Sequence, residues 1–392
     1  MKNNLTKHVS GHTPALLPFQ QLKLVTGKIT SGIVLTFLSG IFMASCQDHE
    51  IPSSPPVDLP GQSIQSNNPK PDWGPTITPQ NLAIIEELDR LNPVPLYLLT
   101  PQEARMKPSV KDAVTSLLDR NHIAPPKANV SVSKRFIPGA GGVPIEVALY
   151  KPNDVSGPMP VIVYYHGGGW VIANSDVYEA STLALAQNTK ALVVSVNYRL
   201  APENKFPTAH MDAYAAYKWV RSNQSELNGN GKVAVAGESA GGNMAVTVSM
   251  MARDSSLTLP LHILSVYPVA NNDLNTPSYI QYANAKPLSK PLVQWFVDKY
   301  FNTMADGDSP LISLVDVANL SGLPPTTIIG AEIDPLQSDG MQLRDKLQQS
   351  GVQVTYQLYE GVTHEFFGTY AIEPKAAQAQ TLAATQLLNA FK

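Results

Sequence analysis

The residues best placed to do chemistry sit in the run Gly237-Glu238-Ser239-Ala240-Gly241-Gly242. It follows Lys232-Val233-Ala234-Val235-Ala236, an apolar run of strand type, and precedes Asn243-Met244-Ala245-Val246-Thr247-Val248, which can continue as a buried helix. A serine between two glycines at a strand-to-helix turn has the form of a nucleophile elbow. The turn is so tight that the flanking positions must lack side chains, and it lifts the hydroxyl clear of the sheet. The plainer reading is an ordinary turn in which Ser239 caps the helix. A serine hydroxyl is a weak nucleophile near neutral pH, so the first reading needs a base and a group to orient that base. His364, in Gly361-Val362-Thr363-His364-Glu365-Phe366-Phe367, offers the imidazole. Asp334, after the apolar run Thr327-Ile328-Ile329-Gly330-Ala331, offers the carboxylate. Asp316 and Asp339 compete for that role, but neither follows a clear strand end.

The elements that must hold these groups read as alternating strands and helices. The sheet is expected to begin with strands at 130–136 and 143–150, joined as a hairpin through Pro138-Gly139-Ala140-Gly141-Gly142. Strands are expected at 161–165, 191–196, 233–236, 261–267, 326–329 and 352–358, with helices at 183–187, 209–221, 244–252, 341–349 and 376–388 between or after them. Such alternation predicts an α/β fold with a mostly parallel central sheet and helices on both faces. The strand Val161-Ile162-Val163-Tyr164-Tyr165 runs into His166-Gly167-Gly168-Gly169-Trp170, a glycine-rich loop. Amphipathic stretches at 78–92 and 109–120, and an aromatic-rich interruption at 271–310, would suit a helical cap over a site; the first two would equally suit helices on the flank.

The 392 residues leave room for one large domain, here 76–392, and a leader, and 43% hydrophobic content suits a packed α/β core. A net charge of -3 points to no nucleic-acid partner. Lys2, Lys7, Lys23 and Lys28 precede an apolar run at 33–44, short for a bilayer span but suited to a signal-peptide core, so residues 1–45 read as an export signal. Met43-Ala44-Ser45-Cys46 resembles a bacterial lipobox, in which Cys46 would be acylated and anchor the exported chain to a membrane; an ordinary secretory signal cut near Ala44 is the alternative. Cys46 is the one cysteine, so no intramolecular disulfide or cysteine-based zinc site can form. Residues 46–75, rich in Pro, Ser, Asn and Gln, read as a flexible tether. His8, His12, His49, His122, His210 and His262 show no ligand spacing, so neither metal nor organic cofactor is expected.

Ser239, Asp334 and His364 occur in the α/β-hydrolase order. With His166-Gly167-Gly168-Gly169-Trp170, Asn197-Tyr198-Arg199-Leu200-Ala201-Pro202-Glu203 and Asp334-Pro335-Leu336, the chain resembles the hormone-sensitive-lipase-like family of bacterial carboxylesterases over roughly residues 78–392. The resemblance implies the α/β-hydrolase fold and a serine esterase acting on small or short-chain acyl esters. It further implies an oxyanion hole from the backbone N–H groups of Gly168, Gly169 and Ala240, with His166 and Gly167 supporting that loop. Trp170 reads as a packing residue or a pocket wall, and Tyr198, Arg199 and Glu203 as structural or loop-supporting residues. Two departures stand out: Glu238 replaces the family's usual Asp or Thr, and Gln337-Ser338-Asp339 alters its acidic follow-on. Deacetylation of a polysaccharide or xenobiotic ester would use the same machinery, and a non-catalytic ligand-binding protein could share the fold.

Overall fold

The structure is a computed structural model and describes residues 59–392. The residues read above as an export signal, and Cys46, lie outside the described residues. In chain order, α1 (Pro79–Leu91), α2 (Pro101–Arg105) and α3 (Val110–Arg120) precede β1 (Val130–Pro138) and β2 (Pro144–Pro152). Next come β3 (Met159–Tyr165), α4 (Glu179–Thr189), β4 (Leu192–Asn197), α5 (Thr208–Ser222), β5 (Gly229–Glu238), α6 (Ala240–Asp254) and β6 (Ile263–Val266). The chain closes with α7 (Pro277–Gln281), α8 (Lys290–Tyr300), β7 (Thr326–Ile333), α9 (Gln337–Gln349), β8 (Val354–Thr363) and α10 (Pro374–Ala390).

The strands form one sheet in the order β1-β2-β4-β3-β5-β6-β7-β8. The β1–β2 and β2–β4 pairs are antiparallel and the other neighbours are parallel. This is the expected mostly parallel sheet. Strand β3 is apolar at nearly every position because both its faces are covered. Its period of two divides the side chains: Val161, Val163 and Tyr165 join a core with α5 and α6, while Ile162 and Tyr164 join one with α4 and α10. The expected hairpin turns through Gly141 and Gly142 at φ 68° and 78°.

Helix starts follow local chemistry. Thr78 accepts the Asn81 N–H ahead of α1, and Ser109 with Asp112 closes a capping box on α3. The helices α2 and α7, of 5 residues each, are too short to show a period, and α8 lies within the stretch read as an interruption.

The expected tether of 46–75 needs correction from residue 59 onward. Gly61 N–H donates to Ala371 O at 3.1 Å, Ser66 N–H donates to Pro79 O at 2.9 Å, and Ile64 packs with Leu117, Leu118 and Ile372. A Cβ at Gly61 would stand 2.5 Å from Ala371 O, so close docking of this stretch depends on that glycine. Few apolar residues suffice because the groove they fill is already built by α1, α3 and the 371–372 loop.

Candidate active site

β5 ends at Glu238 and α6 begins at Ala240, so Ser239 alone makes the turn, at φ 57° and ψ -118°. A serine at positive φ is strained, and such strain persists only where the surroundings over-determine it. Here they do. A Cβ at Gly237 would stand 2.2 Å from Gly241 O, and one at Gly241 would stand 1.9 Å from Tyr165 O, so the turn admits only glycine at both positions. Ser239 N–H donates to Val266 O at 2.9 Å, and Ser239 O accepts the Asn243 N–H at 3.1 Å. The Ser239 side chain makes no N-cap hydrogen bond, which removes the plain helix-cap reading.

Asp334 follows β7 directly and is fully buried. Its Oδ2 accepts a 2.6 Å hydrogen bond from His364 Nδ1, and its Oδ1 accepts the Leu336 N–H at 2.8 Å. His364 follows β8, and its Nε2 has no protein partner among the described residues. Burial disfavours the imidazolium, but the Asp334 charge and hydrogen bond outweigh it, so His364 is held above the ordinary histidine range. The competing carboxylates are engaged elsewhere. Asp339 Oδ2 accepts the N–H groups of Ala270 and Asn271 at 2.9 and 3.0 Å, and Asp316 accepts the Ser313 hydroxyl.

The glycine-rich loop leaves β3 with Gly168 at φ 95° and Gly169 at φ 58°. A Cβ at Gly168 would stand 2.3 Å from Ile172 O, and one at Gly169 would stand 2.2 Å from the Phe296 ring. The N–H groups of Gly168, Gly169 and Ala240 find no acceptor among the described residues; Gly168 and Gly169 line the cavity that Ser239 lines, and Ala240 follows Ser239 directly. His166 is buried, with Nδ1–H donating to Gly167 O at 2.8 Å and its ring stacked on Tyr198 at 4.2 Å. Burial pushes His166 down to about 4, so it is a neutral brace. Tyr198 donates to His166 O, Arg199 pairs with Asp212, and Arg105 binds Glu203, Ala201 O and Val171 O. Trp170 is buried and stacked on Tyr300.

Ser239, His364, Gly168 and Gly169 line a cavity of about 320 Å³ whose outer wall is built by 92–97, 108–111 and 284–292. The N-terminal stretch and the 271–310 segment therefore both face the site, while α1 and α3 also pack on each other along the flank. A second cavity of about 340 Å³ meets the first at Gly169, Ser239, Leu288 and Phe296. His364 lines only the first. Sequence reasoning missed Arg105, Leu288 and Glu365, and read Phe296 only as one of the aromatics of the 271–310 segment. The Glu238 departure was visible, but the tyrosines around it were not: Glu238 accepts from Tyr164 and Tyr267, and Glu365 accepts from Tyr178.

A family profile for the alpha/beta hydrolase fold matches residues 162–368. Carboxylesterase NlhH of Mycobacterium tuberculosis is 36% identical over 252 residues, which cover 63% of this chain and 79% of that protein. Ethyl acetate hydrolase of Pseudomonas putida is 32% identical over 229 residues, 57% of this chain and 72% of that protein. The crystal structure of a thermostable esterase from Pseudomonas putida superposes with a TM-score of 0.74 at 30% identity, covering 81% of this chain and 98% of that one. The chain belongs to the α/β-hydrolase family, in keeping with the hormone-sensitive-lipase-like resemblance of its motifs. Within that family it is a carboxylic ester hydrolase.

Proposed function

We propose that Ser239, His364 and Asp334 act as nucleophile, base and orienting group in the hydrolysis of small or short-chain acyl esters. The observation that carries this reading is the convergence of the strained Ser239 elbow and the Asp334-bonded His364 on one cavity. Ser239 Oγ attacks the ester carbonyl carbon as His364 Nε2 takes its proton, and Asp334 steadies the resulting imidazolium. The carbonyl oxygen becomes an oxyanion that receives the free N–H groups of Gly168, Gly169 and Ala240; each such donor is worth roughly 3 to 4 kcal/mol. Collapse breaks the carbon–oxygen bond to the alcohol, which leaves with the proton from His364. Water then attacks the acyl-Ser239, giving its proton to His364, and the carboxylic acid departs as Ser239 is reprotonated.

Proton return to the leaving alcohol requires His364 beside it, which assigns the alcohol to the 320 Å³ cavity and the acyl group to the 340 Å³ one. Val293, Val297, Phe301 and Ile312 wall the acyl side, favouring a short apolar chain. A relative that hydrolyses ethyl acetate supports the same size class. The sequence of residues 1–46 supports export with acylation at Cys46 and a membrane anchor. The decisive experiment pairs Ser239→Ala with a serine-directed organophosphonate. The variant should fold yet lose esterase activity, and the wild type should be labelled at Ser239. Labelling elsewhere, or an active variant, removes the mechanism. An acyl series should favour acetyl to hexanoyl esters, and preference for emulsified long chains would overturn the size class.

A further inference from the structure

Glu238 and Glu365 are acidic groups beside His364 to which the mechanism above gives no task. Glu238 is buried inside the elbow, and its carboxylate oxygens accept from the hydroxyls of Tyr164 and Tyr267. The Tyr267 ring lies 4.5 Å from the His364 imidazole, tilted by 49°. Glu365, partly buried at φ 70° directly after His364, accepts the Tyr178 hydroxyl and lines the same cavity. Burial holds the three phenols well above the ordinary tyrosine range, so they donate hydrogen bonds without changing charge.

Among the described residues, no lysine or arginine pairs with either carboxylate. Lys111, also on the cavity wall, is held by Glu179 and the Asp176 carbonyl. His166 is neutral, and Asp334 adds negative charge on the Nδ1 side. A carboxylate withdrawn from water without a cation is costly, and the cost falls when a positive charge appears nearby. The one positive charge the reaction creates there is the His364 imidazolium.

We propose that Glu238, assisted by Glu365, is a positioning residue for His364: through Tyr267 it holds the imidazole, and its uncompensated charge favours the imidazolium formed when Ser239 attacks. The inference rests on the Ser239–His364–Asp334 reading. It also gives the Glu238 departure from the family pattern a task, since a glutamate reaches both tyrosines from within the elbow. Burial, and then the Glu365 charge, push Glu238 up to about 7, so its charge is gained across the range in which a histidine base works. Both carboxylates, after Asp334, help raise His364 against its burial.

The sign of the effect is set by charge. Without the Glu238 charge His364 binds its proton less tightly, so the base form survives to lower pH. Glu238→Gln keeps the shape and removes the charge; its amide oxygen still accepts from one tyrosine hydroxyl, while its NH2 donates to the oxygen of the other. The acid limb of kcat/KM on a short acyl ester should move down by about one pH unit, and the plateau of kcat should fall about tenfold with KM little changed. Glu238→Asp keeps the charge and should leave the limb near its wild-type position, whatever the rate. Glu365→Gln should move the limb in the same direction by less, and it decides the matter if Glu238→Gln does not fold. A rate loss with an unmoved limb, or an upward shift, would mean that Glu238 only supports the fold. Failure of the triad itself shows separately, as activity surviving in Ser239→Ala.

Discussion

Replacing Asp334 by Asn tests the site at its most buried point. The substitution preserves shape but removes a full charge 2.6 Å from His364 Nδ1, on the buried side of the imidazole. At an effective dielectric of 20, two unit charges at that separation attract by about 6 kcal/mol, an upper bound for what the transition state loses. An asparagine amide retains part of this through its dipole, leaving a loss of about 4 to 5 kcal/mol, or a fall in kcat of roughly 10³ to 10⁴. The tautomer acts in the same direction: an amide N–H directed at Nδ1 places the ring proton on Nε2, which then cannot accept from Ser239. Because the charge matters mainly once the imidazolium has formed, kcat should carry the loss while KM moves by less than about threefold. The assay is steady-state hydrolysis of a chromogenic acetyl ester, normalised by titration of active sites and accompanied by thermal unfolding. A loss below tenfold in a folded variant, or an equal loss in Asp339→Asn, would refute the assignment of the orienting carboxylate.

Other substitutions probe the scaffold, the cavities and Cys46. Gly241→Ala places a Cβ 1.9 Å from a backbone carbonyl that cannot move without displacing β3, so unfolding stability should drop by about 3 kcal/mol or more in denaturant titration; a stable variant would contradict the steric account of the elbow. His262 is held neutral by burial, down to about 4, and donates to or accepts from Thr327 in the core. A depressed histidine contributes stability that is present above its unfolded value near 6.5 and is lost as pH falls toward 4. The wild type should therefore lose about 2 kcal/mol relative to His262→Gln between pH 7 and pH 5, read from paired urea titrations, and a constant difference would contradict it. Phe296 lines both cavities where they meet, so Phe296→Ala should raise the octanoyl-to-acetyl ratio of kcat/KM at least about threefold and cost about 3 kcal/mol of stability; an unchanged ratio would show that this ring does not limit acyl length. If residues 1–46 direct export and acylation as proposed, the full chain expressed in a bacterial host should fractionate with membranes and Cys46→Ala should not be lipidated, a pattern that a soluble, unacylated wild type would overturn.

The sequence by itself determined the features that depend on neighbours in the chain. Ser239 was legible because an elbow needs glycine at 237 and 241 for purely local steric reasons, and the structure shows those contacts at 2.2 and 1.9 Å. The mostly parallel sheet was legible because strands covered on both faces, such as β3, read as continuous apolar runs. Asp334 and His364 were legible as residues just beyond such runs, where an α/β sheet presents its working groups. Only the tertiary structure decided what meets across distance. It brought Tyr267 against His364, Arg105 onto Glu203, and Phe296 onto Gly169, contacts set by the order of the strands and the packing of α2 and α8, which no local period encodes. It also drew residues 59–75 onto the domain. A composition rich in Pro, Ser, Asn and Gln measures how little core a segment can build alone, whereas Gly61 and Ile64 needed only to fit a groove that distant elements had already made.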